Sequence, residues 1–136
     1  MANTFVNKKA DLTSNSATTL YTVPTATTAV VKSILVSEDS GNADTITVTI
    51  TDTDEAVFSL FKTKSISANA TSELLSAPLV AQESEIIKVT AATANRLHVV
   101  LSALEIKAGC YNIVLIYYDK LSNNVNSGEI PAFNTK

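Results

Sequence analysis

The segment from Thr45 to Thr51 constrains the fold more than any other part of the sequence. It reads Thr-Ile-Thr-Val-Thr-Ile-Thr, so apolar and hydroxyl side chains alternate without a break. Successive side chains of a β-strand point to opposite faces of the sheet. The alternation therefore predicts a strand that buries Ile46, Val48 and Ile50 in a core and turns its four threonines toward water or a partner.

The rest of the chain repeats this pattern in weaker form. Segments rich in β-branched residues are separated by turn residues at intervals of roughly 8–12 residues, which is typical of a sandwich or barrel. The further predicted strands are residues 18–23, 29–37, 56–61, 86–91, 96–106 and 111–119, with a strand, a turn and the start of another strand in 65–75. Pro78 and residues 82–85 are assigned to a loop. We therefore predict an all-β fold, a β-sandwich of about eight or nine strands with jelly-roll or Greek-key-like connections and extended termini.

The composition is that of one folded domain. Of the 136 residues, 46% are hydrophobic and 17% are charged, so a core can form without a disulfide or a metal. We divide the chain into an N-terminal arm or edge strand (1–10), a sandwich domain (11–119) and an extended C-terminal arm (120–136). No apolar run is long enough to cross a bilayer, and the N-terminus lacks the apolar stretch of a secretory signal. We expect a protein made in a cytosol that does not enter a membrane.

The charge distribution argues against nucleic acid as a partner. The formal net charge is −3, and beyond Lys8 and Lys9 the basic residues are scattered along the chain. Proteins that bind the phosphate backbone concentrate lysine and arginine on one face. We predict no nucleic-acid partner.

The residue types that carry chemistry are sparse. His98 is the only histidine and Cys110 the only cysteine, so catalytic triads and histidine-based metal clusters are not available within one chain. We interpret both residues as structural. The acidic residues Asp52, Asp54 and Glu55 are spaced closely enough to ligate Ca²⁺, but the glycine and distal glutamate of an EF-hand are missing, and a solvated turn is the favoured interpretation. We assign no catalytic residue, no cofactor and no metal.

The strongest candidate for a contact surface is the strand 111–119. After Asn112 both of its faces are apolar, which predicts burial by its own sheets or by another subunit. Spaced apolar residues in the C-terminal arm extend this candidate interface. Its residues are Tyr111, Ile113, Leu115, Tyr117, Tyr118, Val125, Ile130 and Phe133. We expect a symmetric homo-oligomer, a homotrimer, with these residues at the interface.

Several segments resemble one class of protein. The run Leu-Thr-Ser-Asn-Ser-Ala-Thr-Thr-Leu-Tyr-Thr-Val-Pro ending at Pro24, the apolar strand that follows it, and the strand that ends in Leu-Glu-Ile at Ile106 resemble small virion structural proteins of tailed bacteriophages, especially marine cyanobacterial phages. The resemblance covers about residues 12–106 and includes no catalytic motif.

The resemblance implies a non-enzymatic protein that is synthesised in the host cytoplasm and incorporated into the virion. Its partners would be other phage structural proteins, with the major capsid protein favoured. A head decoration or cement protein is the first expectation, and a tail, neck or fibre-associated module is the alternative. A host-glycan adhesin ranks below both, because the chain has no tryptophan and few aromatic residues for a sugar platform.

Overall fold

The structure, a computed structural model, describes residues 3–107. This part of the chain forms nine strands and no helix. They are β1 (Asn3–Asp11), β2 (Thr18–Thr22), β3 (Thr27–Glu38), β4 (Asp44–Thr51), β5 (Val57–Ile66), β6 (Thr71–Glu73), β7 (Leu79–Ala81), β8 (Ile86–Ala91) and β9 (Leu97–Lys107). The prediction of an all-β fold is confirmed. No helix capable of spanning a bilayer occurs in residues 3–107.

The strands form two antiparallel sheets that pack against each other as a β-sandwich. One sheet has the order β1-β9-β3-β6, with β7 also paired to β3, and the other has the order β2-β8-β4-β5. Most consecutive strands lie in different sheets, and β4 and β5 form a hairpin within one sheet. This is the connection order of a jelly roll, so the predicted sandwich is confirmed.

The core follows the alternation of the central strands. Ile46 and Val48 are fully buried and Ile50 is half-buried, as predicted. In β9 the alternate residues from Leu97 to Ala103 are buried against them. One cluster of buried apolar side chains therefore joins the two sheets.

Thr51 departs from the pattern of the other threonines. Within residues 3–107 its Oγ1 is a buried side-chain oxygen without a hydrogen-bond partner. In the sheet Thr51 lies opposite Ile86 on one side and Val57 on the other. Residues directly opposite share a face of the sheet, so both apolar side chains lie on the same face as Thr51. The expectation that Thr51 faces water or a partner is wrong.

Three segments differ from the sequence assignment. Residues 3–11 form β1, which pairs along its length with β9. The sequence had allowed either an extended arm or an edge strand for the N-terminal segment. Strand β5 continues to Ile66 through a bulge at Thr63, whose N–H donates to Thr47 Oγ1 at 3.1 Å. Residues 79–81, placed in a loop, form the short strand β7 because β3 offers them a free edge.

Candidate functional site

One end of the sandwich gathers four connections into a single surface, which we call the loop end. It consists of residues 12–17, 39–43, 67–70 and 92–96. Backbone hydrogen bonds tie these loops to one another: Leu12 N–H donates to the Leu97 carbonyl, Asn95 N–H to the Leu12 carbonyl, and Glu38 N–H to the Ala70 carbonyl. The loops therefore support each other as one unit.

Glu38, the last residue of β3, organises two of these loops. Its side chain is buried, and Oε1 accepts hydrogen bonds from both the N–H and the Oγ of Ser40. Its Oε2 accepts from the N–H of Gly41 at 3.0 Å and of Asn69 at 2.9 Å. Gly41 has a positive φ of 83°, which suits glycine at the tip of the first loop. One carboxylate thus holds the β3–β4 loop to the β5–β6 loop.

The hydrogen bonds of Glu38 also set its ionisation. Burial raises the pKa of this carboxyl, but the bonds from the Ser40 side chain and from the backbone N–H groups of Asn69, Ser40 and Asn42 outweigh burial and lower the pKa to about 2. The group is therefore a carboxylate at neutral and mildly acidic pH. It acts as a hydrogen-bond acceptor for the loops and holds no proton that a reaction could use.

A second buried acid lies at the same end. Asp44 begins β4, and its Oδ2 accepts a hydrogen bond from the Thr93 N–H at 3.0 Å. Beside it the Arg96 Nη1 donates to the Ala43 carbonyl at 3.0 Å. These groups border a shallow depression of about 330 Å³ whose remaining lining is largely hydroxyl side chains, including Ser65. The depression is open, and its charged groups are engaged in holding loops.

His98 lies at the loop end, whereas the acidic turn 52–55 follows the opposite end of β4. His98 stands between Asp11 and Asp39, with Nε2 at 3.3 Å from one carboxylate and Nδ1 at 3.4 Å from the other, and all three side chains are substantially exposed. It joins the end of β1 to the β3–β4 loop, a placement consistent with the structural role proposed for it.

The acidic turn that precedes β5 is also structural in its contacts. Asp52 Oδ1 accepts hydrogen bonds from the N–H groups of Asp54 and Ala56, each at 2.9 Å, and so closes the turn. Across the part of the chain that the structure describes, no group of three histidine, cysteine, aspartate or glutamate residues has a metal-binding arrangement.

A buried pair in the sandwich interior was not found from the sequence. Tyr21 of β2 donates its hydroxyl to Glu105 Oε2 of β9 at 2.7 Å, which links the two sheets through the core. Burial raises the pKa of the Tyr21 hydroxyl far above its ordinary value, and the hydrogen bond and negative charge of Glu105 add to this effect. The sequence did contain a signal for this pair, namely the alternation of side chains in β9. Glu105 falls on the same inward face of the strand as Leu101 and Ala103.

This pair leads to a stability prediction. We expect Tyr21→Phe to lower the free energy of unfolding by roughly 1–3 kcal/mol, because it removes a donor from a buried carboxylate while keeping the ring. Chemical denaturation with wild type as reference measures the difference. A variant as stable as wild type would mean that the hydroxyl contributes nothing to sheet packing.

The edges of the two sheets carry exposed apolar side chains. In β5, Val57 and Phe58 are 62% and 54% exposed, and in β1 Phe5 is 78% exposed. Beside β5 runs an apolar groove of about 220 Å³, which we call the β5 groove. Its lining residues are Leu60, Phe61, Leu74, Leu75, Ser76, Ala77, Pro78 and Leu79. Single exposed apolar residues are ordinary, but an aromatic one on an open strand edge next to an apolar groove is typical of a contact surface.

The interface predicted from the sequence lies outside the described residues. This applies to each of its members, Tyr111, Ile113, Leu115, Tyr117, Tyr118, Val125, Ile130 and Phe133, and also to Cys110. Sequence reasoning did not identify the edge of β5 as a candidate. The run Val57-Phe58-Ser59-Leu60-Phe61 after an acidic turn was the signal available for it.

Two comparisons with known proteins return no relative. No protein-family model matches the chain. A search of curated proteins likewise yields no significant match. The fold and the site therefore define the class: an all-β sandwich with jelly-roll connections and an organised loop end.

Proposed function

We propose that the protein is a non-enzymatic structural protein whose role is to bind other protein subunits. The observation that carries this proposal is the exposure of Phe5, Val57 and Phe58 on the outer strands of the two sheets. The acids at the loop end support it, because Glu38 and Asp44 are occupied as hydrogen-bond acceptors for backbone groups. Such groups stiffen a surface.

Within this class we propose a virion protein of a tailed bacteriophage, with a head decoration or cement protein as the first candidate. The resemblance across residues 12–106 supports this assignment, and jelly-roll domains are common in viral capsids. The major capsid protein is then the favoured partner. Homotrimer formation through residues 111–133 belongs to the same proposal, and a tail, neck or fibre module is the alternative.

Copy number in purified particles tests this proposal. Quantitative mass spectrometry of virions, with the major capsid protein as the internal standard, should find this chain in an amount comparable to that protein. A few copies per particle would favour the tail, neck or fibre alternative. Absence from particles that contain all other structural proteins would contradict a virion role.

A further inference from the structure

We propose that the outer edge of β5 is a self-association surface, where β5 of one copy pairs antiparallel with β5 of a second copy about a two-fold axis. The paired segment is Val57 to Phe61, centred on Ser59, and the two four-stranded sheets become one continuous sheet. The inference does not depend on the virion assignment, because it concerns only contacts between copies of this chain.

The first step is the open edge. Strand β5 is the last strand of its sheet, and no other strand among the described residues pairs with its outer side. An edge strand presents unpaired N–H and C=O groups that can accept another strand. Val57 and Phe58 lie on this edge and are exposed. Pairing there would satisfy backbone groups and remove apolar surface from water in one contact.

The second step is charge, which selects the partner and the direction of pairing. The acidic turn, residues 52–55, precedes β5, and the exposed Lys62 and Lys64 lie toward its other end. A two-fold axis near Ser59 brings the basic end of each copy to the acidic turn of the other. In a symmetric contact every favourable pair occurs twice. Parallel pairing would instead place like charges together, so the strand is self-complementary only in the antiparallel direction.

The third step is the fit of Phe58 to the β5 groove. Phe58 lies opposite Ile50 in the β4–β5 pair and therefore points to the core-facing side of its sheet. With the axis at Ser59, Phe58 of the second copy lies opposite Leu60, which lines the groove and is the residue that the register shift leaves without a partner in β4. The same face carries both the ring and the groove. Aromatic anchors in apolar pockets commonly dominate the affinity of an interface.

The remainder of β5 limits the contact to a closed dimer. The pairing of β5 with β4 shifts register twice, between Ser59 and Phe61 and again near Thr63, whose φ is 47°. Lys64 lies opposite Ile46 and so points to the core-facing side at the edge. Bulges and inward-pointing charges are devices that stop edge-to-edge pairing. They confine the contact to the few residues around Ser59, which suits one short symmetric contact and not an extended assembly.

Sedimentation velocity of the full chain over a range of concentrations tests the anchor. We expect Phe58→Ser to raise the dissociation constant of a two-fold association step by about tenfold or more. The matched control is Val80→Ser, which removes an apolar side chain that is 52% exposed from β7 of the other sheet and should leave the step unchanged. A monomeric wild-type chain, or equal association of wild type and Phe58→Ser, would overturn the proposal.

A charge-swap pair tests the direction of pairing. We expect Lys62→Glu with Lys64→Glu in one chain, and Asp54→Lys with Glu55→Lys in another, each to weaken self-association through repulsion. An equimolar mixture of the two variants should associate at least as tightly as wild type, because opposite charges then meet at both ends of the contact between the two variants. No gain on mixing would overturn the antiparallel β5 contact. It would leave the separate proposal of a trimer through residues 111–133 unaffected.

Discussion

Val48→Asp should abolish cooperative folding of the sandwich. Val48 is fully buried at the centre of β4, between β5 and β8. An aspartate there would have no charged partner among the apolar side chains of the core, and an unpaired buried charge costs roughly several kcal/mol. This is comparable to the whole stability of a typical small domain, about 5–15 kcal/mol. Thermal unfolding followed by circular dichroism should show no sharp transition.

The neighbouring substitution Thr49→Asp provides the control. Thr49 is only half-buried and lies opposite Lys88 in the sheet, so a carboxylate at this position meets water and a positive charge. We expect a melting curve close to that of wild type, since substitutions at such surface positions usually change stability by less than about 0.5 kcal/mol. If the two variants unfold alike, the assignment of the two faces of β4 is wrong.

Glu38→Gln should loosen the loop end and remove much of the acid sensitivity of the protein. The glutamine side chain offers one oxygen where the carboxylate offered two, and it places an amide NH2 against backbone donors. The N–H groups of Ser40, Gly41 and Asn69 are held by this carboxylate. We expect their hydrogen exchange to accelerate by about tenfold or more, while exchange in β4 changes little.

The pH dependence of Tm provides the second measurement for Glu38. The pKa of Glu38 in the folded protein is about 2, below its ordinary value of 4.5. Its contribution to stability is therefore complete above about pH 4.5 and is lost as the pH falls toward 2. We expect the wild-type Tm to fall across this range more steeply than the Tm of Glu38→Gln, with the two curves converging at the acid end.

Glu83→Gln is the matched control for this measurement. Glu83 is an exposed glutamate in the turn between β7 and β8, outside the loop end. Its Tm curve should follow that of wild type at every pH. Parallel curves for wild type and Glu38→Gln would show that the acid sensitivity arises elsewhere and that Glu38 is not the group that organises these loops.

The loop end and the β5 edge present two different kinds of surface. At the loop end, buried carboxylates hold backbone donors from several loops, so the surface keeps its shape without a ligand. At the β5 edge, apolar side chains are exposed, and no other strand within residues 3–107 pairs with the outer side of β5. A protein that joins subunits benefits from both, because a rigid body loses less conformational freedom when it binds.

The alternation of side chains in the sequence determined the central strands and their inward faces. Strand β8 has the predicted bounds, 86–91, and β4 differs from its prediction by one residue. The inward positions Ile46, Val48 and Leu97 are buried as the period of two requires. These features are local, because the period of a strand depends only on its own backbone. The order of apolar and polar residues therefore shows which face of the strand is buried.

The tertiary structure decided the features that depend on residues far apart in the chain. Glu38, Asp44 and Glu105 occupy inward positions at strand ends, and their burial is tolerable only because Asn69, Thr93 and Tyr21 supply donors from other elements. The bond between Tyr21 and Glu105 joins residues 84 positions apart. A pattern of local alternation cannot contain such pairings, because a buried acid and its donor meet only once the two sheets have packed.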